Sequence, residues 1–463
     1  MVDSCRRSCL NAMHLLHRIT TLAIFVPALI IHYLPYYTAY GAENARRPNI
    51  IVILADDLGY GDLGCYGHPT IATPNLDRMA REGLRLTHFY VGECVCTPSR
   101  AALMTGRLPI RSGMCGDRRR VLFSDSIGGL PDGEITIAEA LKTKKYATAC
   151  IGKWHLGRLP QFLPTRHGFD SYYGIPYSND MKPTVLLRND RAIEDPADQT
   201  TLTDRYTAEA LSFIRQNRQG PFFLYLPHTF PHVPLHASSA FKGNSRRGLY
   251  GDVVEELDAS VGRILETLRE LKIEEQTFVF FTSDNGPWLL MHEKGGSAGL
   301  LREGKGSTWE GGMREPAIAW WPGTIPAGRT SAELSCTMDL FATIHKIVDI
   351  PLPADRTLDS FDIRGVLLGT SPSPRQSFFY YRGTRLMAAR MGPWKAHFLT
   401  QSGYGGPAEP AAHDPPLLYN LERDPAEKHD VAKDHPDVIA DIRKLVEEHT
   451  SQVMAAPSQL DLR

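Results

Sequence analysis

The chain has 463 residues, which is enough for more than one domain. Hydrophobic residues make up 42% of it, charged residues make up 22%, and the formal net charge is -1, as in an ordinary globular protein. Because there is no basic excess to hold nucleic acid or an anionic membrane, we expect neither as a stable partner.

The N-terminal segment has the layout of a secretory signal peptide. Basic residues precede an apolar run over residues 22–31, and the small residues Ala39, Gly41 and Ala42 follow it. The run falls short of the ~20 apolar residues that span a bilayer. We therefore expect residues 1–42 to be cleaved and the protein to be secreted or periplasmic, or lysosomal or extracellular in a eukaryote. An uncleaved signal anchor is the alternative.

Strand and helix patterns alternate through most of the remaining chain. Continuous apolar runs rich in β-branched residues predict buried strands over residues 49–55, 147–151, 222–226, 278–282 and 317–321. Apolar residues at helical spacing predict helices over residues 75–82, 203–217 and 251–271. This alternation predicts an α/β domain over residues 47–370, in which a large mixed, mostly parallel sheet is flanked by helices.

The pattern changes beyond residue 370. A Ser- and Pro-rich joint leads into strand patterns over residues 377–381 and 386–399, a Gly- and Pro-rich loop over residues 402–416 and a helix over residues 436–449. We expect residues 375–463 to form a smaller C-terminal α+β subdomain on an antiparallel sheet.

Two acidic pairs follow predicted strands. Asp56 and Asp57 come directly after the first strand, and Asp284 and Asn285 come after the strand over residues 278–282. Open α/β sheets bind ligands beyond the carboxyl ends of their strands, and these hard oxygen donors suit calcium or magnesium better than zinc. The pairs indicate a site for one divalent cation, although each pair alone is as often a turn or a helix cap.

The most specific signal is the stretch Cys96-Thr-Pro-Ser-Arg-Ala-Ala-Leu-Met-Thr-Gly-Arg107. It resembles the signature of the sulfatase family, the formylglycine-dependent members of the alkaline phosphatase superfamily. Further segments resemble blocks of that family: Gly152-Lys-Trp-His-Leu-Gly157, Pro231-His-Val-Pro234, and residues 304–316 and 416–425. Within the family the motifs are most similar to the arylsulfatase A and N-acetylgalactosamine-6-sulfatase group. The resemblance implies the alkaline phosphatase-like sulfatase fold and hydrolysis of a sulfate ester.

The resemblance also implies the nucleophile and the metal ligands. A formylglycine-generating enzyme would oxidise Cys96 to formylglycine (3-oxoalanine), whose hydrate attacks sulfur through one hydroxyl and expels sulfate through the other. A structural cysteine, or a disulfide with Cys94, is the alternative interpretation of Cys96. Calcium is the expected ion, with magnesium as the alternative, and its implied ligands are Asp56, Asp57, Asp284, Asn285 and the modified Cys96.

Cationic and acid/base groups are implied in the same way. The implied catalytic residues are Cys96, Arg100, Lys153, His155, His232 and Lys305, and the implied substrate-binding residues are Lys153, Ser178, His232 and Lys305. Arg100 would hold the formylglycine and the carboxylates, His155 would steady the hydrate, and His232 would serve as general acid to the leaving oxygen. Ser178 matches only the arylsulfatase A group, and a turn serine is an equal alternative for it. Positive charge converging on the sulfuryl group would stabilise the transition state.

The substrate and two alternative functions stay open. Residues 179–198, 286–301 and 401–414 are expected to frame the pocket mouth, but their composition does not distinguish an aryl sulfate from a sulfated sugar. A sulfated extracellular polysaccharide would fit secretion. The alternatives are a phosphodiester or phosphonate hydrolase of the same superfamily and a non-catalytic glycan-binding relative. The second metal site of a two-metal phosphatase is not identified in the sequence, and Cys96, His155 and Lys305 are all present.

Overall fold

Two β-sheets organise the part of the chain that the structure describes. The structure is a computed structural model, and it describes residues 47–404 and 409–462; the predicted signal peptide lies outside these residues. The strands are β1 (Asn49–Ala55), β2 (Leu84–Tyr90), β3 (Ala147–Ile151), β4 (Ser171–Gly174), β5 (Leu186–Arg188), β6 (Arg191–Glu194), β7 (Phe222–Pro227), β8 (Thr277–Ser283), β9 (Arg314–Trp320), β10 (Arg329–Ser331), β11 (Ser335–Cys336), β12 (Ser377–Arg382), β13 (Arg385–Met391), β14 (Trp394–Thr400) and β15 (Ala411–Asn420).

The α-helices of the same part of the chain lie on the faces of these sheets or between them. They are α1 (Pro74–Glu82), α2 (Cys96–Thr105), α3 (Pro109–Ser112), α4 (Ile137–Lys142), α5 (Leu202–Asn217), α6 (Leu249–Glu270), α7 (Glu310–Met313), α8 (Asp339–Ile347), α9 (Arg364–Leu368) and α10 (Pro436–Gln452). Among residues 47–404 and 409–462, none of the helices has the length and apolar character needed to cross a bilayer.

The large sheet is mixed and mostly parallel, as predicted. Its strands follow the order β10-β2-β9-β8-β1-β7-β3-β4-β5-β6, with β11 also paired to β2. The central strands β8, β1, β7, β3 and β4 are parallel to one another. Strand β9 runs antiparallel to both β8 and β2. The segment between β8 and β9 has no crossover helix. Strand β9 therefore starts at the same end of the strands at which β8 finishes.

Helices cover both faces of the large sheet because its central strands are apolar on both sides. In β1, Ile50, Val52 and Leu54 face one core, and alternate residues such as Ile51 and Ile53 face the other. The first core is completed by α2, α4 and α8, and the second by α1, α5 and α6. The helices predicted over residues 75–82, 203–217 and 251–271 are therefore confirmed within a few residues at their ends.

The smaller sheet is antiparallel, with the order β12-β13-β14-β15, and α10 packs on it through Ile439 and Ile442. The predicted loop over residues 402–416 is wrong in its second half, because β15 begins at Ala411 and pairs with β14. Proline in that segment is tolerated because β15 is an edge strand, whose outer side needs no ladder hydrogen bonds.

Several strands of the large sheet were not predicted, among them β2, β5 and β6. Strand β2 alternates apolar Leu84 and Leu86 with polar Arg85 and Thr87, so the period of two was the available signal. The expected loop over residues 179–198 contains the hairpin of β5 and β6, which extends the edge of the large sheet.

Candidate active site

The predicted site residues meet beyond the carboxyl ends of the central parallel strands. Asp56 and Asp57 follow β1, Asp284 and Asn285 follow β8, and all four are buried. The backbone joins the two strand ends, since the Asp284 N–H donates to the Ala55 carbonyl at 3.1 Å. Asp57 has a φ of 65°, a left-handed conformation that non-glycine residues seldom adopt outside tight or functional sites. The two acidic pairs therefore form one cluster.

Cys96 enters this cluster at the start of α2. Its Sγ lies 3.5 Å from Asp56 Oδ1, and its side chain forms no disulfide with Cys94 or with another described cysteine. The first turn of a helix carries partial positive charge, which favours an anionic group at that position. Arg100 lies one turn further along α2 and so faces the same side. Burial raises the pKa of the Cys96 thiol well above its ordinary value.

Four side chains place possible ligand atoms close together, in a manner suited to a divalent cation. Single ligand atoms of Asp56, Asp57, Cys96 and His232 lie within 4.8 Å of one another. Asn285 donates its Nδ2–H to Asp57 Oδ1 at 2.7 Å, while its Oδ1 is buried and has no partner among the described residues. A buried amide oxygen without a donor is costly unless a cation or water satisfies it. The oxygen donors thus fit a metal ion, and His232 lies beside them, with its Nε2 3.6 Å from Asp57 Oδ2.

Cationic side chains surround the carboxylates. Arg100 donates from Nε to Asp284 Oδ2 at 2.9 Å and from Nη1 to the Lys153 carbonyl at 2.7 Å. Lys153 Nζ lies 2.5 Å from Asp56 Oδ2, and Lys305 Nζ lies 2.8 Å from Asp57. All of these side chains are buried, so the opposite charges compensate one another's desolvation.

The two aspartates after β1 have different electrostatic surroundings. Burial would raise the pKa of Asp56, but Lys153, Arg100 and Lys305 outweigh it and hold that pKa below its ordinary value. For Asp57, burial dominates, and the repulsion from Asp56 and Asp284 adds to it, so its pKa rises to about 7 despite Lys305. A cation at this position would favour the ionised form of Asp57.

Two histidines face the same cluster as neutral imidazoles. Burial, with Lys153 and Arg100 nearby, lowers the pKa of His155 well below its ordinary value. Its Nε2 lies 2.8 Å from the Leu122 carbonyl and is therefore assigned the proton, which leaves the buried Nδ1 as an acceptor without a partner among the described residues. Burial and Lys305 likewise lower the pKa of His232.

Ser178 and Asn179 complete one side of the site. Ser178 is buried and accepts a hydrogen bond from Lys153 Nζ at 3.2 Å, so the structure places it among the other predicted residues. Asn179 was missed by sequence reasoning, although its Oδ1 lies 3.1 Å from His232 Nδ1 and orients that ring. Its position directly after Ser178 was the available signal. Trp288 was also missed; its ring lies beside His232 and Lys305.

Matches to known protein families cover nearly the whole described chain. The sulfatase family model matches residues 48–350, and the model for the C-terminal region of aryl-sulfatase matches residues 373–463. N-acetylgalactosamine-6-sulfatase of Canis lupus familiaris is 42% identical over 468 residues, covering 91% of this chain and 90% of that protein. Arylsulfatase A of Homo sapiens is 44% identical over 455 residues, covering 88% of each.

Solved structures agree with these relatives. The crystal structure of Ps i-CgsB in complex with k-i-k-neocarrahexaose is 31% identical, has a TM-score of 0.76, and covers 89% of this chain and 94% of that one. A phosphonate monoester hydrolase of Agrobacterium radiobacter shares the fold at 19% identity and a TM-score of 0.63. The matched family models, the extensive identity and the buried cluster around Cys96 lead to one conclusion: the chain belongs to the sulfatase family and is an enzyme that hydrolyses sulfate esters.

Proposed function

We propose that this sulfatase works through formylglycine derived from Cys96, together with one calcium ion. The observation that carries the proposal is the position of Cys96, whose Sγ lies 3.5 Å from Asp56 at the start of α2 inside the buried acidic cluster. Formylglycine supplies a hydrated aldehyde as nucleophile. The proposed ligands of the ion are Asp56, Asp57, Asp284, Asn285 and the modified Cys96.

Calcium is proposed because the donors are mainly carboxylate and amide oxygens, which are hard ligands. Magnesium is the alternative ion. When bound, the cation supplies Lewis-acid stabilisation of charge on the sulfate oxygens. Arg100 holds Asp284 in place and keeps the start of α2 close to the carboxylates.

The remaining side chains bind the sulfate and move protons. Lys153, with Ser178 beside it, and Lys305 bind sulfate oxygens from two sides of the cluster. The unpaired Nδ1 of His155 accepts a proton from residue 96. His232 binds sulfate and donates a proton to the leaving oxygen; the negative charge of a bound ester would raise its lowered pKa toward the value this role needs.

Maturation and location follow from the burial of Cys96 and from the N-terminal pattern. Cys96 is 1% exposed, so a formylglycine-generating enzyme would have to reach it before the chain folds. Residues 1–42 would direct export, and the mature protein would be secreted or periplasmic. We assign residues 47–370 to the catalytic domain and residues 375–463 to the C-terminal subdomain.

A sulfated sugar is the proposed substrate class. One relative named above is an N-acetylgalactosamine-6-sulfatase, and the solved structure Ps i-CgsB is in complex with k-i-k-neocarrahexaose. A sulfated polysaccharide outside the cell would also match export of the enzyme.

The test combines mass spectrometry with sulfate release. The protein is produced in a host that makes formylglycine, the peptide containing residue 96 is weighed, and inorganic sulfate released from N-acetylgalactosamine 6-sulfate and phenyl sulfate is measured. We expect the mass deficit of thiol-to-aldehyde conversion at residue 96 and loss of turnover in Cys96→Ala. The matched control is Cys94→Ala, a buried cysteine of the same segment, which should retain turnover.

Three results would contradict the proposal. An unmodified thiol in a turning-over enzyme would exclude formylglycine. Faster hydrolysis of a phosphonate or phosphodiester than of either sulfate ester would favour the phosphoryl-transfer alternative, and binding of a sulfated glycan without any turnover would favour the non-catalytic one.

A further inference from the structure

Two half-buried aromatic residues stand beside the proposed leaving-group side of the site. Trp288 and Tyr404, which we call the aromatic wall, have ring centroids 5.7 Å apart. The centroid of the Trp288 ring lies 5.6 Å from that of the His232 ring and 4.7 Å from Lys305 Nζ. Both wall residues are half-buried. The wall therefore directly borders the two side chains proposed to act next to the leaving oxygen.

The backbone brings these two distant segments together at Lys305. The Lys305 N–H donates to the Pro287 carbonyl at 2.9 Å, so the residue before Trp288 is held next to Lys305. Gly306, at a φ of +84°, lets the Tyr404 ring approach, since a Cβ there would lie 3.3 Å from that ring. At Gly403 a Cβ would lie 2.5 Å from the Lys305 carbonyl, so a side chain there would force Tyr404 away.

A wall of this composition suits one kind of leaving group. Aromatic side chains contribute large, rigid apolar surfaces, and flat rings pack on them with little loss of conformational entropy. The neighbouring Lys305 and His232 account for the sulfate, whereas neither supplies an apolar contact for the rest of the ester. A flexible alkyl chain would lose rotational freedom on binding there, and a six-membered ring would not.

We propose that Trp288 and Tyr404 form the specificity wall for the six-membered ring that carries the sulfate ester, packing against its apolar face. This inference rests on the proposed function, because it takes His232 and Lys305 as the leaving-group side of the site. The ring is a pyranose or an aryl ring, each of which presents an apolar face, and the two are separated by experiment.

The test uses the mature enzyme with N-acetylgalactosamine 6-sulfate and phenyl sulfate as substrates and inorganic sulfate as a competitive inhibitor. We expect Trp288→Ala and Tyr404→Ala each to lower kcat/KM by about tenfold, mainly through KM, because ring contacts are lost. Trp288→Phe and Tyr404→Phe keep a ring and should stay within about threefold of the wild type. The inhibition constant of inorganic sulfate should not change, since the wall residues are not among the side chains proposed to bind sulfate.

The control is Leu290→Ala, an apolar residue 46% exposed near Trp288, which should behave as the wild type. A loss larger for the sugar ester assigns the wall to a pyranose, and a loss larger for phenyl sulfate assigns it to an aryl ring. Unchanged kcat/KM in both alanine variants, or a sulfate inhibition constant that rises in step with KM, would overturn the inference alone. A wild-type enzyme that releases sulfate from neither ester would overturn the proposed function as well.

Discussion

Replacing Lys395 with methionine tests the buried charges that join the two sheets next to the active site. Lys395 Nζ lies 3.0 Å from Glu310 Oε1 and 3.0 Å from Glu427 Oε1, and these side chains have no exposed area. It also donates to the Thr308 carbonyl at 2.9 Å. Lys395 belongs to β14 of the smaller sheet, and Glu310 is the first residue of α7, a few residues after Lys305. The ion pair therefore links the smaller sheet to the stretch of chain that carries Lys305.

Methionine matches the length of lysine but leaves two carboxylates buried without that partner. Removing one member of a buried ion pair costs about 3–5 kcal/mol, and we expect a loss of unfolding free energy in this range near pH 7. Burial would raise the pKa of Glu310, but Lys395, Arg314 and Arg390 outweigh it and hold that pKa well below its ordinary value. In the wild type this stabilisation is therefore complete above the ordinary Glu pKa of about 4.3 and is lost as the pH falls below it.

In Lys395→Met the pKa of Glu310 should rise. Protonation of Glu310 as the pH falls would then remove its buried, uncompensated negative charge. The deficit relative to the wild type should shrink between about pH 7 and about pH 5. Urea unfolding followed by tryptophan fluorescence at both pH values measures it. Lys444→Met is the matched control, because the Lys444–Glu448 pair is exposed with an N–O distance of 4.0 Å; it should cost less than about 0.5 kcal/mol. A deficit below about 1 kcal/mol near pH 7, or an equal deficit at both pH values, would refute the reasoning.

Three further predictions concern the site itself. Arg100→Lys cannot reproduce the paired contacts with Asp284 and the Lys153 carbonyl, so kcat/KM should fall by at least about 100-fold in steady-state assays. Gly286→Ala places a Cβ 1.9 Å from the Gly311 carbonyl and should cost about 1–3 kcal/mol in urea unfolding. In the control Gly133→Ala, the added Cβ meets no described atom within 4 Å, so the change should cost nothing measurable. Chelation should abolish sulfate release and added calcium should restore it; full turnover after exhaustive chelation would contradict the cation proposal.

Much of the central fold could be predicted because its signal is local. A strand buried on both faces needs an unbroken apolar run, and the residues of β1, β7 and β8 have one. Strand β2 was missed because it mixes polar and apolar residues, and β15 was missed because Gly and Pro mark loops more often than edge strands. The antiparallel direction of β9 depends on the path of the preceding segment, which has no regular pattern of its own.

By itself, the sequence determined the reaction class and indicated the residues proposed to bear the chemistry, because a metal site and a nucleophile need particular side chains at set positions around Cys96. Only the tertiary structure decided how the charges pair, that His232 lies against Asp57, and that Asn179 orients the His232 ring. It also decided that Trp288 and Tyr404 meet beside Lys305. The physical reason is that these contacts join segments far apart in the chain, and the composition of a loop does not specify which distant neighbour its side chains will touch.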